Sequence, residues 1–174
     1  MNFALTCLCS LTLHTHLHVI MSNTYTQLYI HIVFAVKYRL ALINPRWEER
    51  LHKYMIGIID NNGHRVLAIN SAYDHIHILI GLNPHQSISE LLKDLKGDSS
   101  KFINRQKLTT RRFRWQEGYG AFSHSRSQVD HVVRYILNQK EKHNRQSFVK
   151  EYQEILRHFD IDFDQRYIFK EPEG

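Results

Sequence analysis

Two histidines, His75 and His77, stand one residue apart in the stretch Tyr73-Asp74-His75-Ile76-His77-Ile78-Leu79-Ile80. The alternation predicts a strand, and successive side chains of a strand point to opposite faces. His75, His77 and Leu79 then share one face, and Ile76, Ile78 and Ile80 share the other. A neutral imidazole offers a lone pair to a metal ion, and this spacing lets both rings reach the same ion. The same residues can instead be two half-buried strand histidines bonded to their neighbours. The chain has 13 His, and His14-Thr15-His16-Leu17-His18 repeats the spacing in an unpatterned segment.

A second pair capable of chemistry lies further on. Val129, Val132, Val133, Ile136 and Leu137 recur at the spacing of a helix with one buried stripe. At about 100° per residue, Tyr135 falls more than about 90° from the centre of that stripe. Gln139, four residues later, falls on the same side as Tyr135. The helix thus presents a phenol and a carboxamide away from its apolar stripe. The alternative is a surface tyrosine beside the solvated run Asn138-Gln139-Lys140.

These residues need a frame. Gln27 to Val36 alternates as a first strand. Asn44-Pro45 opens a helix with Leu51, Tyr54, Met55, Ile58 and Ile59 as its stripe, stopped by Asn61-Asn62-Gly63. Arg65 to Asn70 is a second strand, and the His75 strand is the third. Ser87-x-x-Glu90 caps a helix with Ile88, Leu91, Leu92, Leu95, Ser99 and Phe102 on one side. Gly97 inside it marks either a close approach to the backbone or a local break. Tyr119 to His124 forms a fourth strand, and Ser127-x-x-Asp130 caps the helix of Tyr135. Phe148 to His158 is a last short helix. This order predicts an α+β fold of the ferredoxin-like, split βαβ kind: an antiparallel sheet with helices on one face and an extra C-terminal helix. His75 and His77 are expected on the face that the extra helix covers.

The net charge is +6, and the stretch from Lys93 to Arg114 carries eight Lys or Arg against Asp94 and Asp98, again a net +6. Charge so localised points to an anionic partner and to phosphate contacts from Lys93, Lys96, Lys101, Arg105, Arg111, Arg112 and Arg114. Phe113 and Trp115 offer stacking surfaces for unpaired bases, although Trp115 fits a core equally well. The tail from Glu151 holds seven acids against Arg157, Arg166 and Lys170, and is expected to pack loosely or to serve a partner.

Cys7 and Cys9 are the only cysteines, so the chain after them has neither a disulfide framework nor a thiolate metal site. That suits a reducing cytosol and a cytoplasmic location. No stretch beyond the first twenty or so residues approaches the roughly 20 apolar residues of a membrane span. The patterned sequence begins after Met21. The reading divides the chain into 1–21, an extension outside the fold; 22–146, the main domain; and 147–174, a helix and an acidic tail.

Several motifs in order carry a resemblance. They are Tyr25-Thr26-Gln27, Asp74-His75-Ile76-His77, Lys96-Gly97-x-Ser99-Ser100, Trp115-Gln116-x-Gly118-Tyr119-Gly120 and Tyr135-Ile136-Leu137-Asn138-Gln139. Together they resemble the single-tyrosine HUH transposases of small insertion sequences, the "IS two hundred" type, and the related repeat-associated tyrosine transposases. The resemblance implies that His75, His77 and Gln139 bind a divalent metal, Mg or Mn, and that Tyr135 is the nucleophile. It also implies a single-stranded or hairpin DNA substrate, a homodimer and no nucleotide cofactor. His124 and His131 are unusual for that family, and the segment before Met21 has no counterpart in it.

The implied chemistry suits these residue types. A tyrosine oxygen attacking a phosphodiester in line yields a 5′-phosphotyrosine and a free 3′-hydroxyl. The ester keeps the bond energy, so rejoining needs no ATP. Two other readings use the same residues: a non-catalytic nucleic-acid-binding module on this fold, and an HUH relaxase-like nicking enzyme.

Overall fold

The computed structural model describes residues 25–143, 147–164 and 168. The extension 1–21 and the tail acids Glu171 and Glu173 lie outside the described residues. Four strands form one antiparallel sheet in the order β2-β3-β1-β4. They are β1 (Tyr29–Ala35), β2 (Arg65–Ser71), β3 (His75–Gly81) and β4 (Gly120–His124). Among the described residues five α-helices accompany them: α1 (Pro45–Asn61), α2 (Ile88–Arg105), α3 (Val129–Leu137), α4 (Gln139–His143) and α5 (Phe148–His158). The order βαββαβ followed by α3 is the expected split βαβ plan with its extra helix.

Binary patterning on β3 decides the layering. Ile76, Ile78 and Ile80 are fully buried and pack with Leu51, Met55 and Ile59 of α1 and Leu91, Leu92 and Leu95 of α2. Each such side chain contributes about 1.5–3 kcal/mol on burial. The opposite face carries His75, His77 and Leu79. There α3 lays Val129, Val132 and Ile136 on Leu79 and Ala68. Beside it, α5 lays Phe148 and Leu156 on Val33, Ala35 and Phe122. Histidines at alternate positions therefore lie inside a second, polar-centred layer.

Local signals set the helix ends. The Asn44 side chain accepts from the Arg46 amide at 2.9 Å, with Pro45 at the first helical position. Ser87 and Glu90 form the reciprocal capping box of α2. Gly63 adopts φ +77°, a value glycine reaches without strain. α2 runs through Gly97 without a break, and a Cβ there would meet nothing within 4 Å. Neither reading of that glycine is realised within this chain.

The structure corrects four expectations. Ser127 does not cap α3: it lies inside a 3-10 turn, Arg126–Gln128, whose own cap is Ser125 with Gln128 in a capping box, and Gln128 stands at the N-cap of α3 without a side-chain cap bond. The helix of Tyr135 does not run on to Gln139. It ends at Leu137, because the Asn70 Nδ2 donates to the carbonyls of both Ile136 and Leu137 at 2.9 Å. Those acceptors would otherwise continue the helix, and Gln139 instead opens α4.

Phe113 and Trp115 are core residues, at 0% and 7% exposure, so the core alternative holds for Trp115 and neither stacks on bases. The Trp115 Nε1 donates to Ser99 Oγ at 2.9 Å, which satisfies the one polar atom of the indole. Finally, α5 does not pack loosely. Phe148 is buried with its ring stacked on His75, at 3.8 Å between centroids and 11° between planes.

Candidate metal centre and nucleophile

His75 and His77 are both fully buried, and each ring is held by the nitrogen that does not face the site. The His75 Nδ1 bonds the Asp74 Oδ1 at 2.8 Å, which fixes Nδ1 as the protonated nitrogen of the neutral ring. The His77 Nδ1 lies 3.0 Å from the His31 Nε2. Burial, with a smaller push from His124, lowers the His31 pKa to about 3. His31 is therefore neutral and can accept from the His77 Nδ1–H. Both arrangements leave Nε2 of the two strand histidines as the lone-pair nitrogen. β1 supplies His31 because its register sets Val33 opposite His77 and Ala35 opposite His75.

A third ligand comes from α5. The Glu151 side chain is buried, with its Oε2 3.9 Å from the His75 Nε2. The ligand atoms of His75, His77 and Glu151 all lie within 4.8 Å of one another. Among the described residues no other group of His, Cys, Asp or Glu converges in this way. The Glu151 Oε1 accepts from the Gln139 Nε2 at 2.9 Å and from the Tyr135 hydroxyl. One carboxylate thus joins the strand histidines to the helix residues.

Gln139 is fully buried, and its Oε1 has no hydrogen-bond partner among the described residues. An orphaned carbonyl oxygen at such a place costs free energy unless a donor or a cation meets it. Two imidazole nitrogens, a carboxylate and an amide oxygen suit a divalent ion such as Mn²⁺ or Mg²⁺ and leave room for oxygens from outside. The residues fit the group the sequence implied, with Glu151 added to them.

Tyr135 is half-buried, with its ring edge-on to His77 at 5.9 Å between centroids. Burial raises its pKa above the ordinary phenol value, and the charge of Glu151 and the bond to it add to the rise. The hydroxyl is therefore protonated, with the carboxylate as the acceptor of its proton. Within this chain α3 packs on β2 and β3, which sets Tyr135 beside the histidines of the same chain.

α4 is tied back to the sheet's other layer. The Lys140 Nζ meets the Glu48 Oε2 at 2.6 Å, and Ser71 Oγ donates to the Glu48 Oε1 at 2.8 Å. Glu48 is a buried carboxylate of α1, so this link fixes the residue next to Gln139.

The basic residues are not gathered at this centre. Lys93, Lys101 and Arg105 are exposed on α2, across the sheet from the histidines. Lys101 pairs with Asp98 at 2.9 Å. Lys96 points inward and donates to the carbonyls of Gln116 and Gly118 at 2.6 and 2.8 Å. Burial lowers its pKa to about 8. Arg111, Arg112 and Arg114 are exposed on the loop that reaches the end of β1, where Val36 bridges Trp115.

Residues 24–139 match the family described as "Transposase IS200 like". The chain belongs to the IS200-like transposase family. It is 27% identical over 121 residues to the ISDra2 transposase TnpA of Deinococcus radiodurans, covering 67% of this chain and 86% of that one. It is 32% identical over 95 residues to the transposase of insertion sequence IS200 from Salmonella typhimurium, covering 51% of this chain and 62% of the relative.

The fold is that of two solved proteins. One is a Deinococcus radiodurans protein described as a candidate transposase (TM-score 0.56, 24% identity, 68% of this chain and 95% of that chain). The other is a REP-associated tyrosine transposase bound to a REP hairpin (TM-score 0.55, 12% identity, 88% and 93%). The resemblance read from the motifs is thus the family found, and the family is one of DNA-processing enzymes. The family match ends at Gln139, before Glu151. Sequence reasoning missed Glu151 and His31. Among the described residues no helix is long and apolar enough to cross a membrane.

Proposed function

We propose that this chain cleaves and rejoins single-stranded DNA through a covalent 5′-phosphotyrosine at Tyr135, with a divalent ion held by His75, His77, Gln139 and Glu151. The observation that carries the reading is the double contact of Glu151, which bonds the Tyr135 hydroxyl on one side and faces His75 Nε2 at 3.9 Å on the other. A phenol, two imidazoles and a carboxylate sharing one buried centre is a costly arrangement for a passive binding module. When bound, the ion would polarise a phosphodiester and offset its charge.

The residues then have separate tasks. Asp74 and His31 orient the imidazoles. Phe148 covers the His75 ring and excludes water from that flank. Glu151 holds the phenol's proton and aims its oxygen, and Tyr135 Oη attacks the phosphorus. The new Tyr–O–P bond forms as the P–O3′ bond breaks, and the leaving 3′-oxygen takes up a proton. Attack by a 3′-hydroxyl reverses the sequence without ATP.

Arg111, Arg112 and Arg114, on the loop beside β1, with Lys93, Lys101 and Arg105 on α2, would follow the DNA backbone. The structural neighbour bound to a REP hairpin makes a hairpin a suitable substrate. With α3 serving the histidines of its own chain, a homodimer would carry two sites. The domain 22–146 supplies the histidines and tyrosine, and the segment 147–174 supplies Glu151. The test is covalent capture: the purified chain with Mn²⁺ and single-stranded DNA should yield a DNA adduct that survives denaturation and maps to Tyr135. Strand cleavage without any adduct would overturn the reading.

A further inference from the structure

Tyr135 and Glu151 have a second side. They form one wall of a cavity of about 300 Å³ that His75 and His77 do not reach. His31, which orients His77, also lines it, and its other walls bring together residues that the proposed chemistry does not use: His124 from β4, His131 from α3, and Glu154 and His158 from α5, with Phe159. On their helices, His131 and Tyr135 are four residues apart, as are Glu154 and His158, so each pair faces the same way.

His124 is the telling member. Both of its ring nitrogens are buried and have no hydrogen-bond partner among the described residues. Burial, and then the neighbouring His158 and His131, lower its pKa, so the ring is neutral. A neutral imidazole presents one donor and one acceptor. Its ring is held edge-on against Phe159, at 5.3 Å between centroids. Such a buried, unsatisfied pair of groups beside a cavity calls for a ligand with polar groups of its own.

The chemistry of the walls selects the ligand class. A phosphate is disfavoured, because Glu151 and Glu154 line the cavity and, among the described residues, no Lys or Arg does. A second metal ion is disfavoured too, because His75, His77 and Glu151 form the one group of ligand atoms that converges among the described residues. A flat, uncharged heteroaromatic ring fits. It can meet imidazole donors and acceptors at its edge and Phe159, Val132 and Ile155 at its faces. The volume suits a single small ring system.

We propose that this cavity is a nucleobase pocket. It takes the unpaired base on one side of the phosphodiester that Tyr135 attacks, and His124 reads the edge of that base. Enzymes acting on single strands hold bases in this way, by edge hydrogen bonds and ring packing. The inference rests on Tyr135 being the nucleophile, and it adds a sequence preference at the cut.

The test uses the full chain with Mn²⁺ and a randomised pool of single-stranded DNA. Covalent adducts are isolated after denaturation and the strands sequenced on both sides of the cut. The wild type should favour one base at one flanking position by about tenfold or more, the discrimination a well-placed base contact supplies. His124→Phe fills the space without hydrogen bonding. It should flatten that preference while Mn²⁺ affinity stays as in the wild type. A flat profile in the wild type, or an unchanged preference in His124→Phe, overturns the pocket.

Binding is measured in parallel with Tyr135→Phe protein and short homopolymeric strands of adenine, cytosine or thymine. Discrimination there that His124→Phe removes, together with no adduct from the wild type, would uphold the pocket and sink the nucleophile. Adducts without discrimination would do the reverse. Loss of Mn²⁺ affinity or of the folded state in His124→Phe would mark the residue as structural, and rescue of the preference by His124→Gln would mark it as a reader.

Discussion

The Tyr135 hydroxyl donates to the same carboxylate oxygen of Glu151 that accepts from the Gln139 amide. A residue of α5 thereby sets the positions of two residues separated by the break at Asn138. This carboxylate ties the phenol and the amide together across that break. Glu151→Ala should leave the sheet and its main core intact, yet weaken Mn²⁺ binding by at least about tenfold and abolish adduct formation. A Mn²⁺ titration followed by calorimetry reads the first effect. Unchanged affinity would remove Glu151 from the centre.

His31 acts through His77. His31→Phe keeps a ring in the buried site and deletes the acceptor 3.0 Å from the His77 Nδ1. The imidazole then loses the partner that fixes its tautomer and angle. Mn²⁺ affinity should fall about 10–100-fold with the thermal melt little changed. A loss of stability with normal affinity for the ion would mean that His31 serves packing alone.

Asn70 ends α3. Its side-chain amide meets two carbonyls at 2.9 Å, and these place the turn into Gln139. Asn70→Ala should cost about 1–2 kcal/mol in urea unfolding. It should also weaken Mn²⁺ binding, because Gln139 loses its fixed position. Full affinity in the variant would show that α4 is placed by the Lys140–Glu48 contact alone.

The basic residues separate into two kinds. Neutralising Arg111, Arg112 and Arg114 together should lower the salt dependence of single-strand binding by about 2 in log–log slope. Lys96→Met should instead loosen the loop at Gln116 and Gly118, lower stability and leave the slope close to that of the wild type. An unchanged slope in the triple variant would place the DNA on another surface.

Much of this centre was legible in the sequence. The alternation from His75 to Ile80 puts two imidazoles on one face, and the valine stripe of α3 leaves Tyr135 off its centre. His31 was hidden because a histidine in an alternating strand looks like any other, and only the register of β1 on β3 brings it to His77. Glu151 was hidden among the acids of the tail, whose charges suggested solvent. One signal was available: Glu151 lies three residues after Phe148 and four before Ile155, inside the apolar stripe of α5. A carboxylate in a buried stripe needs a reason. Phe113 and Trp115 misled in the opposite direction, since flanking arginines made two core aromatics look like a surface. The helix break at Asn138 could not be read locally, because its cause is a side chain on β2.

The central claim is that Tyr135 becomes covalently joined to DNA, and one comparison tests it most directly. Wild type and Tyr135→Phe are each incubated with single-stranded DNA labelled on the 3′ side of the cut, with Mn²⁺ or with EDTA, then denatured and resolved by size. The variant keeps the ring and lacks only the oxygen. Wild type with Mn²⁺ should show a labelled protein band that EDTA removes and that peptide mapping places at Tyr135. Tyr135→Phe should bind Mn²⁺ and DNA and show no band. A band of undiminished intensity in Tyr135→Phe would contradict the assignment and move the nucleophile to another residue.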